Sequence, residues 1–290
     1  MLLRWAGCWI SGETPLLLRL LVRNGFHARL AGSVSYYVPG EERARRVADL
    51  FASIAKRYDL INDVQSLGLH RWWKRKVIGL TAAKPGQRVL DVCCGTGDLT
   101  LALAERGCET VGIDFSQPML EVARSRGEAV ASRLRPQFLH GDALHLPFPD
   151  AEFDVITIAY GLRNLADVDR GLRELLRVLR PAGRLVILEF GKPSLSVLRW
   201  LWFGYLRLAL PVFGWLFVGN AQAYAYILEA LIHYPGQLEI QRRLIELGAT
   251  DGQLIHLMGG MMSLHVVQKG VAASGSATGF TPRHLVDTPA

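Results

Sequence analysis

Three acidic side chains, Asp91, Asp114 and Asp142, lie within or at the end of short apolar segments of this chain. The first of these segments leads into residues 94–97, which read Cys-Gly-Thr-Gly. Glycines permit a sharp turn that brings a ligand close to the backbone, and an acid placed as Asp114 is can accept hydrogen bonds from both hydroxyls of a ribose. Each hydrogen bond to a charged group contributes about 1.5–3 kcal/mol. These residues predict a nucleoside site, although a glycine turn can also do no more than let a helix pack on a sheet.

The glycine turn lacks the features of two common nucleotide-binding motifs. The dinucleotide fingerprint has a third small residue after its first two glycines, and Thr100 stands at that position here. A phosphate-binding P-loop needs a lysine followed by a hydroxyl residue, and no such pair follows Gly97. What remains is a cofactor with a ribose and no pyrophosphate, and S-adenosylmethionine fits that description.

The segments around these residues alternate between strand and helix patterns. Strands are expected at 89–92, 109–114, 137–142, 153–158 and 184–190, followed by a closing pair at 251–256 and 261–269. Helices are expected to begin at residue 41 and after Ser116, and to span 98–106, 165–179 and 235–247. Pro181 and Gly183 are expected to end the helix over 165–179. This order predicts an α/β doubly wound sheet, whose ligand site lies at the carboxyl ends of its parallel strands. Residues 91–98, 114, 142 and 159–164 all map to that edge.

Composition limits the class of protein and its partners. At 290 residues with 50% apolar content, the chain is long enough for one α/β domain with extensions. The formal net charge of +7 comes from scattered basic residues, which favours a solvated surface first and an anionic membrane surface second. Nucleic acid is disfavoured, because the aromatic residues do not interleave with the basic ones. The cysteines, at positions 8, 93, 94 and 108, lack metal-site or redox spacing and favour a reducing cytosolic setting without a metal.

The two ends of the chain differ in composition from the rest. Residues 1–38 carry four arginines and one acid, and Arg19 interrupts an apolar run that is too short to span a bilayer. We expect a dispensable, poorly ordered extension: an organellar transit peptide, an overlong gene start or an amphipathic tail. Residues 270–290 are rich in serine, threonine, proline and glycine and are expected to be disordered.

Two further segments combine helical patterns with aromatic residues. Residues 41–80 hold a polar and aromatic patch before the first strand, where enzymes of this shape place a lid over the substrate. Residues 195–219 contain seven aromatic side chains, and 208–228 carry no charge, which is nearly the length of a membrane span. Proline, glycine and polar residues inside that stretch, together with flanking arginines, favour a helical lid or a membrane-contacting surface over a span.

Three motifs resemble those of the ubiquinone/menaquinone biosynthesis C-methyltransferases. Residues 58–62 (YDLIN) with 66–72 (SLGLHRW) are similar to the N-terminal signature of that family, residues 177–189 (RVLRPAGRLVILE) are similar to its second signature, and residues 160–164 (YGLRN) are also characteristic. The resemblance extends over residues 47–269. This chain differs at Ala182, where the family usually has glycine, and at Ala159, where it often has serine.

The resemblance implies a domain organisation. Residues 41–269 would form a Rossmann-like class I S-adenosylmethionine-dependent methyltransferase domain with a seven-stranded, mostly parallel sheet. Residues 41–80 would form an N-terminal helical lid, and residues 195–232 an aromatic helical insertion.

The resemblance also implies roles for single residues. The cofactor S-adenosylmethionine would contact Gly95, Thr96, Gly97, Asp114, Asp142, Ala143 and, through the backbone alone, Ala159. Asp114 would take the ribose hydroxyls and Asp142 the adenine amino group. Arg163 would stabilise the phenolate of a quinol substrate, the alternative being an ion pair with Asp167. Tyr58, Asn62 and His70 would orient the quinol ring or relay its proton.

The acceptor of the methyl group would be a polyprenyl quinol. The Cys93-Cys94 turn resembles the menaquinone branch, which favours 2-demethylmenaquinol over the alternative, a 2-polyprenyl-6-methoxy-1,4-benzoquinol of ubiquinone biosynthesis. Such a protein would be cytoplasmic and peripheral to the inner membrane, or organellar if residues 1–38 are a transit peptide, and a homodimer is compatible with it. Two other classes stay open: a membrane-associated, non-catalytic scaffold of the same fold, and a nicotinamide dehydrogenase, which Thr100 and the lack of a Tyr-x-x-x-Lys pair disfavour.

Overall fold

The computed structural model describes residues 41–130, 135–218 and 225–271, and its strands form one seven-stranded sheet. The strands are β1 (Arg88–Val92), β2 (Glu109–Asp114), β3 (Gln137–His140), β4 (Phe153–Ala159), β5 (Leu179–Phe190), β6 (Ala249–Leu257) and β7 (Met262–Lys269). Their order is β3-β2-β1-β4-β5-β7-β6. The first five strands pair in parallel, and β7 runs antiparallel between β5 and β6. The predicted Rossmann-like, mostly parallel sheet is therefore confirmed.

Nine α-helices connect and cover the strands within the described residues. They are α1 (Glu41–Ile54), α2 (Tyr58–Ser66), α3 (Leu69–Thr81), α4 (Asp98–Ala104), α5 (Gln117–Glu128), α6 (Val168–Val178), α7 (Ser196–Val218), α8 (Ala225–His233) and α9 (Gln237–Glu246). Single turns of 3₁₀ helix lie at Ala55–Arg57, Leu162–Asn164 and Met258–Gly260. The first three α-helices precede β1, where the sequence predicts a helical lid.

The hydrophobic core has two layers because successive side chains of a strand point to opposite faces of the sheet. In β1, Leu90 and Val92 pack into one buried cluster together with residues of α6 and α9. Val89 packs into the other cluster, together with residues of α3 and α4. The strands are thus covered by helices on both faces, as expected for parallel strands.

Asp91 lies inside this apolar strand as a structural carboxylate. It is 2% exposed and accepts hydrogen bonds from the hydroxyls of Thr100 at 2.7 Å and Thr157 at 2.8 Å. The Thr100 N–H donates to it as well, at 3.2 Å. Burial raises the pKa of Asp91 to about 6, although these donors oppose the shift. Asp91 therefore ties β1 to α4 and β4, and its oxygens have partners within the fold.

The junction between α6 and β5 differs from the prediction. The helix was expected to run to residue 179 and to be ended by Pro181 and Gly183, but α6 ends at Val178 and β5 already begins at Leu179. Leu179 is extended and pairs with Phe153, and a register shift follows before Arg184 pairs with Val155. The residues between Leu179 and Arg184 form this irregularity, so Pro181 lies within β5.

The aromatic segment predicted at 195–232 forms α7 and α8, while residues 219–224 lie outside the described part of the chain. No helix among the described residues is long and apolar enough to cross a membrane. The extension expected at 1–38 also lies outside the described residues, and so does the tail expected at 270–290 except for its first two residues.

Candidate functional site

Two adjoining cavities lie where the parallel strands end. The first, which we call the edge cavity, has a volume of about 490 Å³ and is lined by residues that follow β1, β2, β3 and β4. The second, the aromatic cavity, has a volume of about 440 Å³ and is lined by residues of α1, α2, α3 and α7. Phe51, Tyr58 and Tyr160 line both cavities, so these three side chains form the junction between them.

Asp114 supplies the carboxylate of the edge cavity at the end of β2. Its Oδ2 accepts the Gly95 N–H at 2.9 Å, and its Oδ1 accepts the Ser116 N–H at 2.8 Å. Burial raises the pKa of Asp114, although these two backbone donors and His140 oppose the shift. The backbone N–H of Phe115 opposes the shift as well, and a carboxylate offers about four acceptor positions in total, so Asp114 retains acceptor capacity for a ligand.

The two glycines of the turn have different surroundings. Gly95 has a φ of 55° and lines the edge cavity, and a methyl group on its Cα would meet no atom of the described residues beyond its chain neighbours within 4 Å. The ligand side of this turn is therefore bare backbone. Gly97 has a φ of 87°, but a methyl group there would come within 3.1 Å of the Phe138 ring and 3.2 Å of Ala123. Gly97 thus serves close packing and does not line the edge cavity.

Thr96 faces α2 and does not line the edge cavity. Its hydroxyl donates to Asp59 Oδ1 at 2.9 Å, and its carbonyl accepts an N–H of Arg126 at 2.9 Å. Arg126 also pairs with Asp59 at 3.0 Å and with Asp98 at 2.7 Å. Burial alone would raise the pKa of Asp98, but Lys74 and Arg126 lower it to about 2. This network holds α2 against the glycine turn, a contact that sequence analysis did not reveal.

The remaining residues expected around the cofactor line the edge cavity: Asp142, Ala143 and Ala159. Asp142 Oδ1 accepts the Leu144 N–H at 2.9 Å, and its side chain is 44% exposed. Cys93 lines the cavity as well, and burial raises the pKa of its thiol well above the usual value. Cys93 is therefore a protonated thiol and a poor nucleophile.

Several residues of the edge cavity were not predicted from the sequence. Phe115 is 48% exposed beside Asp114, and its ring lies 5.8 Å from the His140 ring. The hydroxyl of Ser116 is buried and has no hydrogen-bond partner within the described part of the chain. Both residues directly follow the acid at the strand end, and this adjacency is the signal that could have found them.

The four residues expected to handle the substrate, Tyr58, Asn62, His70 and Arg163, all line the aromatic cavity. A row of aromatic rings forms part of its wall. The Phe190 ring lies 5.9 Å from that of Tyr160 and 6.4 Å from that of Trp202, and the Trp202 ring lies 5.9 Å from that of Tyr205. The aromatic cavity can therefore hold a flat apolar ring beside a few polar groups.

Arg163 is 4% exposed and is paired with Glu189, which is fully buried. Its Nη1 lies 2.5 Å from Glu189 Oε1 and donates to the Tyr160 carbonyl at 2.8 Å, and its guanidinium lies 4.7 Å above the Phe190 ring. The structure thus contains an ion pair of Arg163 with an acid, the alternative that the sequence left open, but the acid is Glu189 and not the example Asp167. The Asp167 side chain instead accepts the Arg170 N–H at 2.9 Å and so caps α6.

His70 is 4% exposed, and its Nδ1 lies 3.0 Å from the Ser66 hydroxyl and 3.7 Å from Asp63. Burial lowers the pKa of His70, and the nearby Lys74 lowers it further. The imidazole is therefore neutral at pH 7, the form that can accept a proton.

Tyr160 stands at the junction of the two cavities in an uncommon conformation. Its φ of 60° lies in the left-handed region, which a bulky side chain rarely adopts and which tends to occur at functional sites. The hydroxyl is buried and has no hydrogen-bond partner among the described residues, and burial raises its pKa well above the usual value. Tyr160 therefore keeps its proton and can donate it in a hydrogen bond.

The edge cavity fits a nucleoside cofactor without phosphates. It combines the bare backbone at Gly95, the remaining acceptor capacity of Asp114 and the exposed ring of Phe115. Among the described residues, no lysine or arginine lines it, so this part of the wall offers no positive side chain for a phosphate. The donor predicted from sequence, S-adenosylmethionine, matches this set of groups.

Comparison with known proteins agrees with this arrangement. The model of the ubiE/COQ5 methyltransferase family matches residues 40–269. The chain is 42% identical over 233 residues to the ubiquinone/menaquinone biosynthesis C-methyltransferase UbiE of Azotobacter vinelandii, which covers 79% of this chain and 91% of that relative. It is 37% identical over 232 residues to the demethylmenaquinone methyltransferase of Desulfitobacterium hafniense, which covers 78% of this chain and 90% of the relative.

Among solved structures, a SAM-dependent methyltransferase of Thermotoga maritima, a possible histamine N-methyltransferase, superposes with a TM-score of 0.54 at 18% identity. The match covers 77% of this chain and 99% of that one, and it supports the fold alone. The match to the family model and the identity to the curated relatives show the family as well as the fold. This chain therefore belongs to the ubiE/COQ5 methyltransferase family.

Proposed function

We propose that this chain transfers a methyl group from S-adenosylmethionine to a ring carbon of 2-demethylmenaquinol. The broader activity, S-adenosylmethionine-dependent C-methylation in quinone biosynthesis, follows from membership of the family. The observation that carries the proposal is the pair of adjoining cavities, because a donor in the edge cavity would face an aromatic acceptor across Phe51, Tyr58 and Tyr160. The preference for a naphthoquinol over a benzoquinol is based on the Cys93-Cys94 turn.

S-adenosylmethionine supplies an electrophilic methyl group, and the protein positions the two partners. Asp114 would hold the ribose hydroxyls, Asp142 the adenine amino group, and the Gly95 backbone would lie beside the methionine part. These contacts fix the donor, so that a bimolecular reaction becomes one between two groups already held in place.

The aromatic cavity would bind the quinol ring and activate it. A quinol becomes a stronger carbon nucleophile when a hydroxyl loses its proton, and His70 is the neutral base of this cavity. Arg163 would stabilise the resulting phenolate, because Glu189 and the Tyr160 carbonyl hold its guanidinium in place. Tyr58 and Asn62 would orient the ring.

We further propose that the enzyme meets its substrate at a membrane surface through α7. Its Trp202, Leu206 and Leu210 line the aromatic cavity. The helix also has five large apolar side chains that are each 59–77% exposed to solvent: Val197, Trp200, Leu208, Val212 and Trp215. A polyprenyl tail gains about 0.8 kcal/mol per buried methylene, so it stays in the bilayer. An enzyme peripheral to the membrane could reach the ring there.

Methyl transfer from labelled S-adenosylmethionine tests the proposal. The two acceptors are reduced demethylmenaquinol and a reduced 2-polyprenyl-6-methoxy-1,4-benzoquinol of equal tail length, and the products are identified by mass and by the labelled carbon. We expect the naphthoquinol to be methylated with the higher kcat/KM. A preference for the benzoquinol would transfer the proposal to ubiquinone biosynthesis, and binding of the cofactor without transfer to either quinol would favour the non-catalytic scaffold.

A further inference from the structure

A second exposed apolar surface lies on α2, α3 and the turn between them. Five large apolar side chains within thirteen residues contribute to it, and we call it the turn face: Leu60 (60% exposed), Val64 (42%), Leu67 (90%), Leu69 (39%) and Trp72 (44%). Exposed apolar side chains are normal when they are scattered, but a contiguous group of them indicates a contact surface.

Leu67 stands at the tip of the turn face in a backbone conformation that favours glycine. It ends α2 with a φ of 51°, and the Gly68 N–H after it donates to the Asp63 carbonyl at 2.8 Å. Helices commonly end in this way with glycine at the left-handed position, since a side chain there is unfavourable. Leu67 is instead the most exposed large apolar side chain of the described residues. The left-handed backbone lowers the stability of the fold, and the exposed leucine adds no buried apolar surface to it. We therefore infer that Leu67 serves a contact with a partner.

The turn face borders the opening of the aromatic cavity. Val64, Leu67 and Leu69 line that cavity, and so do Trp202 and Tyr205 of α7. The same opening is thus flanked by exposed apolar residues of two separate elements.

Basic residues accompany the turn face on α3. Leu69, Trp72 and Lys76 are spaced by three and four residues, which places them along one side of the helix. The Lys76 ammonium lies 5.0 Å from the centre of the Trp72 ring, and Arg75 beside it is exposed. Arg71 pairs with Asp63 at 2.5 Å, so Arg75 and Lys76 carry the net positive charge of this side. Apolar side chains next to cations suit the interface of a bilayer that contains anionic lipids.

We propose that the turn face is a lipid anchor, with Leu67 inserted into the interface of an anionic bilayer beside the opening of the aromatic cavity. Together with α7 it would place that opening against the bilayer, so that the quinol ring enters while its tail stays among the lipids. This inference rests on the proposed function for the identity of the substrate, but the anchor itself is a property of the surface.

Co-flotation of the full chain with vesicles of phosphatidylcholine and about one third phosphatidylglycerol tests the anchor. A leucine that leaves water gains enough to change a partition coefficient about tenfold or more, so we expect Leu67→Asp to weaken vesicle binding by at least about tenfold. Leu67→Gly separates docking from folding, because glycine relieves the left-handed backbone and should keep or raise the melting temperature while binding still falls. Leu238→Asp on α9 is the matched control, as Leu238 is 64% exposed and lines neither cavity.

Activity assays separate a failure of this inference from a failure of the proposed function. Leu60 is the residue of the turn face for this assay, because it is 60% exposed and lines neither cavity. With a water-soluble, short-tailed demethylmenaquinol, we expect Leu60→Asp to match the wild type, whereas with a long-tailed quinol in vesicles its kcat/KM should fall about as much as its vesicle binding. Equal vesicle binding by wild type, Leu67→Asp and Leu67→Gly would overturn the anchor. The anchor would also be overturned if the wild type were a dimer that Leu67→Asp dissociates without any loss of vesicle binding. The turn face would then be the interface between two copies of the chain. If the wild type methylates neither quinol yet binds vesicles through Leu67, the proposed function fails and the anchor stands.

Discussion

Replacing Asp114 with asparagine perturbs the proposed cofactor site at one atom. The carboxylate accepts one backbone N–H on each oxygen, from Gly95 and from Ser116, and retains acceptor capacity for the ribose hydroxyls. Asparagine would keep one such oxygen and would place an NH₂ group against a backbone donor. One hydrogen bond to a charged group, about 1.5–3 kcal/mol, is lost, and the other becomes a bond to a neutral oxygen that is weaker by about 1 kcal/mol, so the total is roughly 2–4 kcal/mol. Because each 1.4 kcal/mol is a factor of ten, we expect the Kd for S-adenosylmethionine to rise by at least about 30-fold.

Isothermal titration calorimetry with S-adenosylmethionine and S-adenosylhomocysteine measures this change. Asp251→Asn is a matched control, because Asp251 is exposed on β6 with a φ of 50°, a conformation that asparagine tolerates. Denaturant unfolding of both variants shows whether the turn at Gly95 still folds. An Asp114→Asn variant that is folded and binds the cofactor within threefold of the wild type would refute the assignment of the ribose to Asp114.

Two further predictions concern the interior of the protein. Glu189→Gln should lower the free energy of unfolding by about 3–5 kcal/mol, because it removes the counterion of the buried Arg163. Glu246→Gln is the control, since Glu246 is exposed and pairs with Arg242 at the surface. Equal losses of unfolding free energy for the two variants in urea would contradict the prediction. His265 is 1% exposed, and burial lowers its pKa to about 3, so the unfolded chain takes up a proton below pH 6.5 that the folded protein does not. The free energy of unfolding of the wild type should therefore fall by about 1.4 kcal/mol per pH unit because of this group as the pH falls from 6.5 towards 3. His265→Gln should lack this contribution, and parallel pH profiles of the free energy of unfolding for the two proteins would show the prediction to be wrong.

The convergence of loops at one sheet edge could be predicted from sequence because strand order and direction follow from local patterns. Asp114 and Asp142 each end a segment that pairs in parallel with its neighbours, and this alone brings both to the edge cavity. Periodicity did not locate the start of β5, because the pairing of Leu179 with Phe153 is a tertiary contact that outweighs the helical pattern before Pro181.

The partners of single side chains could not be predicted in the same way. Arg163 lies four residues from Asp167 but pairs with Glu189, since Asp167 caps α6 and the end of β5 lies beside β4. The hydroxyl of Thr96 faces Asp59, a contact over 37 positions that only the docking of α2 creates. Local sequence gives no sign of either contact.

A crystal structure of the chain with S-adenosylhomocysteine and a demethylmenaquinol analogue tests the account most directly. The account predicts both ribose hydroxyls within about 2.7–3.2 Å of the Asp114 carboxylate and the quinol ring in the aromatic cavity, with the sulfur facing it past Tyr58 and Tyr160. A nucleoside bound away from Asp114, or a ring bound outside the aromatic cavity, would contradict it.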